Sequence, residues 1–374
     1  MTHKSRVTTI LGTRPELIRL SCILEKFDKV FEHRVVHTGQ NSDPQLSQVF
    51  ITELGIRQPD HFLEIPKGSL GNFCSHLFID IEREFDSHPT DAVVILGDTN
   101  SALAGIIAKR RGIPVYHLEA GNRSFDANVP EEINRKIVDH FADYNLAYTQ
   151  NAKANLLREG LHPQTITVVG SPLREVLDKY SSRIAESTIL DQLKIRTGDY
   201  FLVSAHRQEN VDQPNRILEL FESLNWIASE FNLPIIVSTH PRTAQKIELL
   251  SIQLSANIQL HQPFGFLDYI KLQQNARAVL SDSGSVSEES AILGFPALTI
   301  RDSMERQEAL ETGSIIMAGI SQKGVSEALR IISSTQRAES VPVDYQVKDT
   351  STRVVNFIAS TIHSHDFRNA LRKP

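Results

Sequence analysis

Short apolar runs recur along the chain, and each ends in a polar loop ahead of a stretch with helical spacing. Residues 7–11, 35–38, 92–96, 114–118, 146–149 and 165–169 form such runs in the first half. Residues 201–205 and 234–239, a run opening at Ala278, and residues 296–300 repeat them in the second. Continuous apolar runs, without the alternation of a half-solvated sheet, are the pattern of strands covered on both faces by helices. Between them, Leu17, Ile18, Leu20, Ile23 and Leu24 follow Pro15 at helical spacing, and Leu103, Ile106 and Ile107 do so after residues 97–99. Helices are likewise predicted near 152–159, 325–332 and 354–362. The alternation predicts an α/β protein with parallel sheets.

The rhythm breaks once. Residues 173–199 are charged and read as a helix with a connector, and the strand–helix alternation restarts at Tyr200. We therefore expect a first domain over 1–172, a connector over 173–199, a second domain over 200–350, and a C-terminal helix within 351–374 that packs back on the first domain. A chain of 374 residues exceeds the size at which one core usually stops growing.

Open parallel sheets bind ligands beyond the C-terminal ends of their strands, so the residues that follow each run are the candidates for function. Arg14 in GTRPE follows the first run beside helix-start amides suited to an anion. Asp98 in GDTNS and Glu119 in HLEAGNR follow two others. Pro130 is suited to the first position of a helix, on which Ile133, Ile137 and Phe141 share one face and Glu131, Arg135 and Asp139 the opposite one. Of the five acids in residues 111–140, Glu132 and Asp139 read as helix-start and surface charge, and Asp126 sits in the intervening loop. Glu119 and Glu131, with Asp98, make three carboxylates arriving at one sheet edge, the equipment of proton transfer.

In the second half, His206-Arg207 and His240-Pro241-Arg242 each put a histidine and an arginine at a strand end, a pattern for phosphate. In DSGSVSEE, Ser285 and Glu288 are spaced as a capping box. Glu289, a second acid at the helix start, is suited either to the positive dipole end or to a ribose diol whose diphosphate the free amides take.

Composition narrows the chemistry. A net charge of -6 gives no footing for nucleic acid. The first residues lack a signal peptide's apolar segment and no run reaches membrane-spanning length, so we expect a cytoplasmic enzyme. No two glycines stand two apart, no Gly-Lys pair occurs, and neither HExxH nor CxxC is present. Neither a dinucleotide fingerprint, a P-loop nor a metal motif is advertised, and the expectation is chemistry without cofactor or metal.

The motifs, from GTRPE, GDTNS, HLEAGNR and PEEINR to AHRQEN, DSGSVSEE and MERQEA, resemble in order those of the non-hydrolysing UDP-N-acetylglucosamine 2-epimerase family. That resemblance implies two Rossmann-like domains facing across a cleft, a GT-B-like architecture, and a homodimer. It also implies a UDP-linked N-acetylated amino sugar as ligand. It places the catalytic set on Asp98, Glu119, Glu131 and His206. Substrate and UDP contacts fall on Arg14, Arg19, Arg135, His240, Tyr269, Ser283, Gly284, Ser285, Glu289 and Arg306, with Tyr269 similar to an aromatic residue lying against uracil. Arg19, Asn41 and Ser285 depart from the commoner pattern. With GNRSFD, VPEEINRKIVDH and SEES they resemble the branch that makes UDP-N-acetyl-L-fucosamine from UDP-2-acetamido-2,6-dideoxy-L-talose. UDP-N-acetylglucosamine 2-epimerisation is the alternative, followed by a hydrolysing epimerase or a glycosyltransferase.

Overall fold

The computed structural model describes residues 4–40, 44–66, 68–334 and 340–368. The apolar runs become two all-parallel sheets. The first contains β1 (Arg6–Leu11), β2 (Glu32–His37), β3 (His61–Phe62), β4 (Ala92–Leu96), β5 (Val115–Leu118), β6 (Tyr144–Ala147) and β7 (Ile166–Val168), in the order β3-β2-β1-β4-β5-β6-β7. The second contains β8 (Phe201–Ser204), β9 (Ile235–Ser238), β10 (Ile258–His261), β11 (Ala278–Ser281), β12 (Ala297–Thr299) and β13 (Ile316–Met317), in the order β10-β9-β8-β11-β12-β13. Strands β3, β10 and β13 were not expected, and all three are edges. An edge strand has one neighbour and partial cover, so β3 and β13 need only two residues each, and polar Gln259 and His261 are tolerated in β10.

Strand order reverses between β1 and β4 in the first sheet and between β8 and β11 in the second. A crevice opens at such a switch point because the flanking connections leave on opposite faces. The loops after these four strands carry Arg14, Asp98, His206 and residues 283–285, while Glu119 follows β5, the neighbour of β4.

The chain divides into two compact units. One comprises Met1–Arg123, Val129–Asp178 and Gln346–Pro374, and the other Ser124–Asn128 and Lys179–Tyr345. Within the first, the Thr350–Thr361 helix lies on the Arg14–Val30 helix, burying Val354 and Ile358 with Leu20, Ile23 and Phe27. The hydroxyls of Thr361 and Tyr116 pair at 2.8 Å, and the Thr350 hydroxyl donates to the carbonyls of Val169 and Ser171. Truncating a buried Ile358 to Ala would cost about 2–5 kcal/mol by loss of burial and the cavity left behind. No helix among the described residues is long and apolar enough to cross a membrane.

Candidate functional site

In the first domain the turn after β1 is built around Glu16. Its carboxylate accepts from the N–H groups of Gly12 (2.9 Å) and Thr13 (2.7 Å) and from the Thr13 hydroxyl (2.7 Å), closing a capping box on the Arg14–Val30 helix. Its second oxygen accepts from the Thr99 hydroxyl at 3.0 Å, so one side chain ties the loop of Arg14 to the loop of Asp98. Burial pushes Glu16 up to about 7, against the pull of those hydrogen bonds. The spacing Thr13-x-x-Glu16 carried this signal and was passed over in the sequence. Arg14, at the first helical position, is half-buried 5.8 Å from the Phe50 ring.

Asp98 and Glu119, two of the three candidate acids, are paired with arginines. Arg135 reaches Asp98 Oδ2 with Nε at 2.8 Å and Nη2 at 2.6 Å, and gives Nη1 to Glu132 at 2.9 Å. Arg19 is buried over the Tyr148 ring, with Nε 3.4 Å from Glu119 Oε2. Arg19 and Arg135, expected against the substrate, thus each pair with one of the acids and balance its charge. Glu119 has φ 67°, a left-handed conformation that costs a non-glycine residue about 1–2 kcal/mol. Its N–H donates to the Leu146 carbonyl at 3.1 Å, which holds the turn at the end of β5. Strain retained at a strand end is a feature of functional sites. Glu131 is half-buried in the first turn of the Pro130–Phe141 helix, where Pro130 takes the first position as predicted.

That helix corrects the reading of its faces. Ile133 and Ile137 are 58% and 44% exposed, whereas Glu132, Arg135 and Asp139 are buried. Neither Glu132 nor Asp139 is surface charge. Asp139 is completely buried, accepting from the Gly121 N–H at 3.2 Å and pairing with Arg123 Nη1 at 2.7 Å. Arg123 in turn makes a bidentate pair with Glu159, both bonds 2.7 Å. Asp126 caps its own turn, accepting from the Asn128 N–H at 2.9 Å.

In the second domain the organising group is one that sequence reasoning missed. Asp282, fully buried after β11, accepts from the backbone N–H groups of His206 and Arg207, both at 2.9 Å, and from Asn210 Nδ2 at 3.2 Å. It also lies 3.1 Å from His206 Nδ1. The carboxylate fixes the loop and the imidazole together, leaving Nε2 of the 46%-exposed His206 for a ligand. The signal was an acid ending an apolar strand, as at Asp98.

Ser283 and Ser285 bring their hydroxyls 3.0 Å apart at the start of the Val286–Leu293 helix. The expected capping box is absent. Ser285 is in the right-handed helical conformation and its side chain makes no cap bond, while Glu288 is buried in an ion pair with Arg306. Arg306 also gives Nη1 to Glu305 at 3.1 Å. A Cβ at Gly284 would run into Glu305 Oε1 and Arg306 Nη1, so a larger residue there must displace the ends of these two paired side chains. Glu289 accepts from Gln273 Nε2 at 2.6 Å. Half-buried Tyr269 bonds Ser204 and Ser281 at the ends of β8 and β11, and burial, with Glu289 nearby, raises its ionisation far above the usual range. His240 caps the Pro241–Leu249 helix through its carbonyl, which accepts from Thr243 and Ala244. The side chain of Arg242 and the whole of Asn41 lie outside the described residues.

Comparison with known proteins bears on these two sites together. A family model described as UDP-N-acetylglucosamine 2-epimerase matches residues 25–359. The UDP-N-acetylglucosamine 2-epimerase of Methanocaldococcus jannaschii is 37% identical over 348 residues, covering 89% of this chain and 93% of that one. Its crystal structure in complex with UDP-GlcNAc and UDP superposes with a TM-score of 0.90 at 34% identity, over 95% of this chain and 99% of that one. The structure of the UDP-N-acetylglucosamine 2-epimerase from Rickettsia bellii gives 0.90 at 40% identity, over 97% and 98%. The UDP-2,3-diacetamido-2,3-dideoxy-D-glucuronate 2-epimerase of Pseudomonas aeruginosa is 32% identical over 361 residues, 95% of this chain and 99% of that one. The two parallel-sheet domains are a GT-B-like fold.

Proposed function

The chain belongs to the UDP-N-acetylglucosamine 2-epimerase family, and from that premise we propose that it inverts C2 of a UDP-linked N-acetylhexosamine through a 2-acetamidoglycal. The observation that carries this is the pair of acids Asp98 and Glu119 at adjoining strand ends of the first domain, each backed by a buried arginine, with Glu131 in the first turn of the next helix. The C2–H bond has no neighbouring carbonyl to acidify it. Its removal becomes feasible when the C1–O bond to UDP breaks in the same stage, forming C1=C2 and releasing UDP. A proton then returns to the opposite face of C2 while a β-phosphate oxygen re-adds to C1, and the sum is an isomerisation. The three carboxylates divide proton removal, proton return and stabilisation of the oxocarbenium-like charge. Arg14, His206, Ser283, Gly284 and Ser285 hold the departing diphosphate, Glu289 the ribose and Tyr269 the uracil.

For the sugar we propose UDP-2-acetamido-2,6-dideoxy-L-talose, converted to UDP-N-acetyl-L-fucosamine. The support is the residue pattern of GNRSFD, VPEEINRKIVDH and SEES with Arg19 and Ser285. Conversion of UDP-GlcNAc fits the relatives' names equally. The Pseudomonas aeruginosa relative, named for a third sugar, illustrates how the substrate varies across such identities. NMR in deuterated water with each UDP-sugar decides: the true substrate equilibrates with its C2 epimer, and deuterium enters C2 of both. Turnover without C2 label removes the elimination route, and accumulation of free sugar with UDP replaces the epimerase by a hydrolysing enzyme.

A homodimer belongs to the same proposal. Ile133 and Ile137, exposed one turn apart on the Pro130–Phe141 helix, offer it an apolar stripe. Light scattering of Ile133→Lys checks this, and an intact dimer excludes the stripe from the contact.

A further inference from the structure

The three candidate acids arrive on separate segments, and one buried histidine touches the scaffolding of all three. His117 lies in β5, 1% exposed. Its Nε2 is 2.9 Å from the carbonyl oxygen of Gly97, the residue before Asp98. A carbonyl only accepts, so the ring proton is on Nε2. Gly97 also donates its own N–H to the Leu118 carbonyl at 2.9 Å, so both backbone groups of this residue are stitched to β5. With φ 68°, Gly97 sits where the chain turns sharply to present Asp98. On the other side of the ring, Nδ1 stands 2.9 Å from Asp139 Oδ1, in contact but out of line for a hydrogen bond. Asp139 grips the Gly121 N–H, two residues beyond Glu119, and stands on the same helix as Glu131 and Arg135. Arg123 and Glu159 complete an ion cluster around it.

We infer that His117 is a positioning residue that, together with Asp139, sets the Asp98 loop, the Glu119 turn and the Glu131 helix at their mutual spacing. The inference rests on the epimerase reading. Its consequence is separable from fold stability because the bond to Gly97 orients a loop whose strands are already paired. Displacement of a reacting group by about 1 Å can cost about 100-fold in rate. Apart from Arg14, which His117 does not touch, the proposed UDP contacts reside in the second domain, so the defect belongs to kcat.

Two amide variants of like chemistry differ only in reach. The side-chain nitrogen of His117→Gln falls near the position of Nε2 and can still donate to Gly97, whereas that of His117→Asn falls near Nδ1 and cannot. We expect His117→Gln to keep kcat within about threefold and His117→Asn to lose at least about tenfold, with KM and UDP affinity within twofold in both. Equal kcat values for the two variants overturn the inference. So does a rate loss that follows a collapsed thermal midpoint in either variant, since His117 would then serve the fold alone. Absence of C2 exchange in the unaltered protein defeats the epimerase reading itself, before the variants are compared.

Discussion

The two sheets reverse strand order in the same way, yet their switch points are furnished differently. In the first domain the loops deliver carboxylates, and the buried space behind them is filled with Arg19, Arg135 and the cluster of Asp139, Arg123 and His117. In the second they deliver hydroxyls and a histidine, and the buried space behind holds the acids Asp282, Glu288 and Glu305. The charge nearest to what each site presents is thus opposite in sign, Arg19 and Arg135 beside the acids of the first and Asp282 beneath His206 in the second. The reason is desolvation: a carboxylate at the mouth of an apolar sheet needs a cation behind it, and loops that gather on a diphosphate need an anion to hold their N–H groups and arginines in place. The contrast agrees with the proposed chemistry, since proton transfer needs groups that gain and lose protons while retention of a leaving diphosphate needs hydrogen-bond donors.

On this division, damage among the first domain's acids should spare UDP affinity and damage in the second domain should weaken it. Glu119→Gln should have the largest effect, lowering kcat by about 10³-fold or more with UDP affinity unchanged, read by C2 deuterium exchange and calorimetry. Near-normal turnover would remove Glu119 from the chemistry. Asp282→Asn should lower kcat by about 10²-fold and weaken UDP as well, because one carboxylate fixes both the His206 ring and the loop amides. An effect on kcat alone would separate His206 from UDP retention. Gly284→Ala should weaken UDP by about tenfold, the equivalent of about 1.4 kcal/mol. Bound substrate should still exchange its C2 proton at close to the parent rate, because the added Cβ disturbs the Glu305–Arg306 layer and no acid of the first domain.

An effect on stability rather than turnover concerns pH. Glu16 is held near 7 in the folded chain, against 4.5 for the ordinary carboxyl. Between those values the folded protein keeps a proton that the unfolded chain releases, so its contribution to stability is complete below about pH 4.5 and is lost as pH rises through 7. The window is worth at most about 3 kcal/mol. Thermal melts of Glu16→Gln at pH 5 and pH 7.5 should differ less than those of the parent. An unchanged difference would place the titration elsewhere.

Much of this was legible along the chain. The interior strands declared themselves as continuous apolar runs because both of their faces are covered, and the residues following them marked the candidate site because an open parallel sheet binds ligands there. The acids Asp98, Glu119 and Glu131, and the loop from Ser283 to Ser285, followed from that rule together with the family motifs. Edge strands β3, β10 and β13 gave no such run, having only partial cover.

What only the folded chain decided was direction. Periodicity groups Ile133 with Ile137 and Arg135 with Asp139, but it cannot say which group meets the sheet. Here the polar group turns inward, because Arg135 and Asp139 find buried partners in Asp98 and Arg123, distant in sequence or across a loop. The same holds for the Ser285–Glu288 spacing, which matched a cap until Arg306 took the glutamate. Local pattern specifies which residues travel together. The long-range partner that compensates a buried charge specifies where they point.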